Sequence, residues 1–423
     1  MSTNLRWLYA GRALRSFGTA FLTVVFPLYL AVEGYRSAGI GTILTVGGVA
    51  TAALVVAVGV GGDRYGRRPM LLLLAGLSVL GGLLMALTGN VVAVAVASGL
   101  GGVGRGGGAG SGGSWGPVFP AEQPLLAASV DPRARTAAFG RISFVGVIAG
   151  ALGSLVPLLA DYLHGTGWSW LPAYRLLFLL GAAVALGMVA VTLPIRESAP
   201  AVGVLAAPTA AAPSALSTRQ LVGRLGLTNA LNGLGFGFLG PLLTYWFHVR
   251  YGVGPGQLGV LYTVINLVTA LPYLGAARLA QRLGAVRAVT VTRAVSVASL
   301  VLMAWMPTYA LAGMVYALRM AFNSLGMPAR QSYVMGVADE RHRGAVAAFG
   351  SLPSQVTASI SPAVGGVLMA SFVDTPLYGA AFFMACNLIS YWYAFKDAPP
   401  PDEVPAEPPV LSLAAQDGKG GGG

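Results

Sequence analysis

Residues 120–135 read PAEQPLLAASVDPRAR, and residues 328–343 read PARQSYVMGVADERHR. Laid over one another, the two stretches share Pro, Ala, Gln, Asp and two Arg in register. The match extends outward. GRALRSFGTAFL (11–22) lies over TNALNGLGFGFL (228–239), and AGIGTILTV (38–46) over GQLGVLYTV (256–264). Chance similarity among apolar helices does not explain coincident charged positions. The chain is therefore built twice, and repeated halves are an architecture of proteins that carry solutes across membranes, with the site between the halves.

Composition agrees. Of 423 residues, 55% are hydrophobic and only 9% are charged, against roughly 25% charged in soluble domains. Twelve apolar runs are long enough to cross about 30 Å of hydrocarbon: 8–32, 38–62, 70–89, 91–129, 136–160 and 172–194, then 224–248, 257–280, 286–306, 309–337, 344–371 and 376–395. The expected fold is all-α and membrane-embedded, with twelve transmembrane helices in two pseudo-symmetric six-helix halves. The first half covers 1–194 and the second 219–395. Residues 195–218 are rich in Ala, Pro and Ser and read as a linker; 396–423 read as a disordered tail. The first run is too long for a signal-peptide core and is expected to be retained.

The net charge of +12 does not point to nucleic acid, because the basic residues fall in short clusters between apolar runs. Arg64, Arg67, Arg68, Arg133, Arg135, Arg341 and Arg343 gather on one side, against Arg36, Arg175 and Arg250 on the other. This bias places both termini in the cytoplasm. The single cysteine, Cys386, excludes an internal disulfide and a cysteine metal site. The histidines, His164, His248 and His342, are scattered, and no Walker motif or pair of catalytic carboxylates is present. GRGGGAG (104–110) mimics a dinucleotide fingerprint, but it follows a membrane span and lacks the acidic partner. No cofactor, no metal and no enzymatic activity are expected, and an ion gradient is the expected energy source.

Residues 59–68, GVGGDRYGRR, stand at the end of the second span. They resemble the signature loop of the major facilitator superfamily, G-x-x-x-D-R/K-x-G-R/K-R/K, with Gly59, Asp63, Arg64, Gly66, Arg67 and Arg68 on the pattern. The second half keeps a worn copy in Gln281, Arg282 and Gly284. The resemblance implies a secondary transporter whose halves rock, a loop that switches between conformers, and a charge cluster of Asp63, Arg67 and Asp131. SPAVGG (361–366) is similar to the G-P-x-x-G-G motif of the proton-coupled drug antiporters of that superfamily, although serine stands first and the span is the eleventh rather than the fifth. Arg105 resembles the family's arginine of the fourth span, with Arg319 its counterpart in the tenth.

Ionisable groups inside spans are functional candidates, because burying them in hydrocarbon is costly. Here they are Arg12 and Arg15, one helical turn apart, with Arg105, Glu122, Arg319 and Arg330. Arg12 is expected to snorkel to the interface. Glu122 and Arg330 occupy equivalent positions with opposite charge, so they are expected to pair across the halves when the inner gate shuts, with Glu122 as the coupling group; the alternative is a partner inside its own half, for example Arg15 or Arg105 for Glu122. The fourth span, about 58 Å long as continuous helix, is expected to break in its glycine-rich middle. The leading functional expectation is proton-coupled efflux of amphipathic compounds by a monomer in the cell membrane. Uptake or exchange of organic anions is the alternative, favoured by the intramembrane arginines; a non-transporting scaffold or receptor is the reading from a different class. Expected partners are a small-molecule substrate, protons and the bilayer.

Overall fold

The computed structural model describes residues 3–100, 116–130, 135–197, 218–270, 285–337 and 343–395. Described residues of the first half form α1 (Thr3–Val32), α2 (Ser37–Tyr65), α3 (Arg67–Leu87), α4 (Val91–Leu100), α5 (Phe119–Ala128), α6 (Arg135–Ser154), α7 (Leu158–Gly165) and α8 (Trp170–Thr192). Those of the second form α9 (Thr218–Leu239), α10 (Leu243–Tyr251), α11 (Pro255–Ala270), α12 (Ala285–Ala304), α13 (Tyr309–Val337), α14 (Arg343–Ser371) and α15 (Thr375–Phe395). In order, these make twelve spans, three of them built from two successive helices. Six described helices are both long and apolar enough to cross a membrane on length and composition. Most of the 195–218 linker and the 396–423 tail lie outside the described residues.

The paired helices have local causes. Pro157 follows α6 and stands as the N-cap of α7, because proline cannot donate to the preceding turn. Gly240 and Pro241 part α9 from α10 in the same way. In the fourth span Gly116 takes φ +95°, a left-handed conformation that glycine alone adopts freely, and α5 starts afresh at Phe119. The fourth span is thus interrupted; residues 101–115, where the break was expected, lie outside the described residues.

The two halves meet along the face opposite the start of the chain, here called the far face. Two seams form, α2 against α14 and α11 against α6 and α7. Both lack room for side chains. A Cβ on Gly41 would strike the Pro362 carbonyl and come within 3.1 Å of Gly366 Cα, and one on Gly259 would strike the Ser154 carbonyl. One helical turn on, Thr45 Oγ1 accepts the Ala363 N–H at 2.9 Å, while Thr263 Oγ1 donates to the Ala151 carbonyl at 3.0 Å. Gly41 and Thr45 occupy the same repeat positions as Gly259 and Thr263. Each half therefore contributes one G-x-x-x-T surface, and small residues let the backbones approach where no aqueous hydrophobic force acts. At the end of the second seam, the Gly256 N–H in the first turn of α11 donates to Asp161 Oδ2 at 3.1 Å.

Candidate functional site

Glu122 enters the first turn of α5, and α1 presents Arg12 and Arg15 one turn apart on a single face. Arg12 Nε lies 3.0 Å from Glu122 Oε1, and Arg15 Nη2 lies 2.8 Å from Oε2. Arg12 and Glu122 are buried and Arg15 is largely so, their side chains 3%, 6% and 11% exposed. One carboxylate thus holds two guanidiniums, leaving one net positive charge. Two nitrogens of Arg15, Nε and Nη1, are buried without a hydrogen-bond partner. Removing the carboxylate from such a group costs about 3–5 kcal/mol, because the cations left behind have neither water nor anion.

This geometry corrects the expectation for Arg12, which does not snorkel but is engaged deep in its own half. Both Glu122 oxygens have partners within the first half; the expected pairing with Arg330 falls on a side chain that lies outside the described residues. Arg105 and Asp131 also lie outside them, as does the Asp63 side chain, so the expected cluster of Asp63, Arg67 and Asp131 does too.

Arg319 is buried at 7% exposure. Its guanidinium carbon stands 5.6 Å from the centre of the Tyr316 ring, and Nη2 is 3.5 Å from Met384 Sδ. Its Nε has no partner, and no described carboxylate pairs with it.

The signature loop is held by a residue the sequence did not single out. Glu197, just past the sixth span, accepts the N–H of Arg67 at 2.8 Å and of Arg68 at 3.1 Å. First-turn N–H groups have no acceptor within their own helix, so Glu197 supplies one at the head of α3, where the helix dipole also favours an anion. Arg68 Nη2 completes the clamp on the Leu193 carbonyl at 2.6 Å. Gly66 has φ +94°, which favours glycine, and a Cβ there would lie 2.8 Å from Glu197 Oε2 and push that carboxylate aside. Arg64 is exposed and lies over the Tyr65 ring. A Cβ on Gly59 would meet nothing within 4 Å, and nothing in this structure explains a glycine there. The sequence signal for Glu197 was a lone acid in RES, directly after an apolar run.

The family model of the Major Facilitator Superfamily matches residues 8–225 and 225–416. The chain belongs to the Major Facilitator Superfamily. Solved structures similar to this superfamily member share its two-halved helical fold at low identity. The inward-open xylose transporter XylE from E. coli is 12% identical at a TM-score of 0.69, over 92% of this chain and 95% of that one. An inward-facing bacterial homologue of the human lysosomal transporter Spinster is 12% identical at 0.66, over 93% and 96%. The human organic anion transporter MFSD10 is 18% identical at 0.57, over 92% and 100%. No curated protein sequence matches the chain. The superfamily and the fold make this a multi-pass membrane transporter rather than an enzyme.

Proposed function

We propose that the chain carries a small organic anion together with a proton, by alternating access between its halves, as a monomer in the cell membrane with both termini in the cytoplasm. The observation that carries this is the Arg12–Glu122–Arg15 group, with its single carboxylate and its surplus positive charge. Protonating Glu122 removes the anion that holds two buried guanidiniums. A substrate carboxylate arriving at the same place restores the balance. Proton and anion then raise each other's affinity by the same factor, which is thermodynamic linkage between two ligands. The buried charges in the described spans, Arg12, Arg15 and Arg319 against Glu122, favour an anion over an amphipathic cation.

The efflux reading rests on SPAVGG. Pro362 and Gly366 of that stretch pack the seam against Ser37 and Gly41, a role that asks for no drug. We therefore place anion carriage ahead of efflux of amphipathic compounds.

The test is flux into proteoliposomes under an imposed pH gradient. Wild-type protein accumulates an organic anion against its gradient when the outside is acid. Glu122→Gln, which mimics the protonated group, retains anion exchange but loses accumulation. Equal gradient-driven accumulation by wild type and Glu122→Gln would remove Glu122 from coupling, and no flux of any anion would favour a scaffold.

A further inference from the structure

α12 and α15 pack against one another and, as the ninth and twelfth spans, run in opposite directions. The start of α12 and the end of α15 therefore share the near face, the side on which the chain begins. Arg293 joins them there, its guanidinium carbon 5.4 Å from the centre of the Tyr391 ring. On their exposed flank lies an open groove of ≈ 620 Å³. Its lining changes character with depth. Arg287 of α12 stands at the near-face end with Trp392 and Tyr393 of α15, and about one turn deeper come Val291, Leu388 and Ile389. Beyond Val291 the next exposed positions of α12 are Ala294 and Ala298, whose small side chains continue the furrow along the apolar flank. From Arg287 to Ala298 is about 16 Å at 1.5 Å per residue. That is roughly half of a 30 Å hydrocarbon core, the depth of one leaflet.

The polar end is built of donors. The exposed Arg287 guanidinium and the Trp392 indole N–H have no hydrogen-bond partner among the described residues, and neither group can accept. No described carboxylate pairs with Arg287, and neither α12 nor α15 contains an acid. What fits is an anionic acceptor carried on an apolar chain. We infer that the groove binds one anionic phospholipid of the near-face leaflet. Its phosphate sits on Arg287 and Trp392, and one acyl chain lies along Val291, Ile389 and the two alanines. A free phosphate ion would satisfy the donors but leave the apolar length of the groove empty. Phosphatidylcholine brings a cation that Arg287 repels, whereas phosphatidylglycerol brings none. Basic side chains with Trp and Tyr at headgroup level are the residue types that meet such lipids.

Native mass spectrometry of the purified full chain, released from mixed phosphatidylglycerol and phosphatidylcholine, tests it. Wild type retains one phosphatidylglycerol in preference to phosphatidylcholine. Arg287→Gln lowers that preference about fivefold, the worth of one basic residue at an anionic surface. Trp392→Phe keeps an aromatic ring, removes the donor, and weakens retention of phosphatidylglycerol by about the same factor, one net hydrogen bond. Ala294→Phe fills the furrow and also weakens its retention. Arg6→Gln is the control for overall charge: it removes one positive charge from an exposed position at the near face of the first half and leaves the preference unchanged. Equal retention of the two lipids by wild type, an undiminished preference in Arg287→Gln, or an equal drop in Arg6→Gln would each overturn the site. Displacement of the lipid by millimolar inorganic phosphate would overturn it too, by making the groove a site for free anions.

Discussion

Substituting Gly41 wedges the far-face seam, and the structure sets the size of the effect. The place a Cβ would occupy is filled by the Pro362 carbonyl, with Gly366 Cα at 3.1 Å, whereas carbon atoms in good contact stand about 3.5–4.0 Å apart. Backbone supplies both obstacles, so no side chain can swing aside, and α2 and α14 must separate. Overpacking of this kind costs about 1–3 kcal/mol in the state that contains it. In an alternating-access cycle the opposite state has already parted this seam and escapes the cost. Gly41→Leu should therefore move the equilibrium toward the state open at the far face by about 5- to 150-fold, at 1.36 kcal/mol per tenfold. Spin labels on cysteines at the exposed positions 36 and 372 report it by pulsed electron resonance, as a gain of longer distances. Gly76→Leu is the control, since a Cβ there meets nothing within 4 Å. Unchanged distances and unchanged transport in a well-folded Gly41→Leu protein would refute the idea that this seam is a closed gate.

Four other outcomes are expected. Glu122→Ala lowers thermal stability in detergent by about 3–5 kcal/mol, and more than Arg12→Gln does, since it strands two buried cations rather than removing one. Glu197→Ala costs about 1–2 kcal/mol through loss of the α3 cap, with Glu197→Gln in between; equal stability of all three proteins would deny the clamp. Asp161→Asn keeps an acceptor for the Gly256 N–H and should disturb the conformational balance less than Asp161→Ala, measured with the same spin labels. Cysteines at 36 or 250 should react with an impermeant reagent added outside cells and a cysteine at 67 should not, and the reverse pattern would invert the topology.

The spans were legible because hydrophobic length is a local property. The tenth begins where its apolar run does, at Tyr309. The repeat was legible too, yet its structural meaning was not. Gly41 and Gly259 share a repeat position, but only the packed helices show that both sit on seams between the halves. Glu122 was visible as a buried acid; its choice of Arg12 and Arg15 depends on the rotation of α1 against α5, which no sequence periodicity records. Pro157 and Pro241 carried the signal for the divided fifth and seventh spans, hidden inside otherwise continuous apolar runs. Glu197 was the hardest to foresee, since its importance lies in backbone donors more than a hundred residues earlier in the chain.

The clamp at Glu197 also has a mechanical side. The chain leaves the first half directly after this residue and reaches the second at Thr218, so the strap joining the halves is fastened not to the free end of α8 but to the head of α3. If the halves rock as proposed, any pull transmitted between Glu197 and Thr218 would reach the signature loop at this point of attachment. Shortening the strap would then load that loop directly, while cutting the Glu197 fastening would lengthen the strap by letting its first residues peel away.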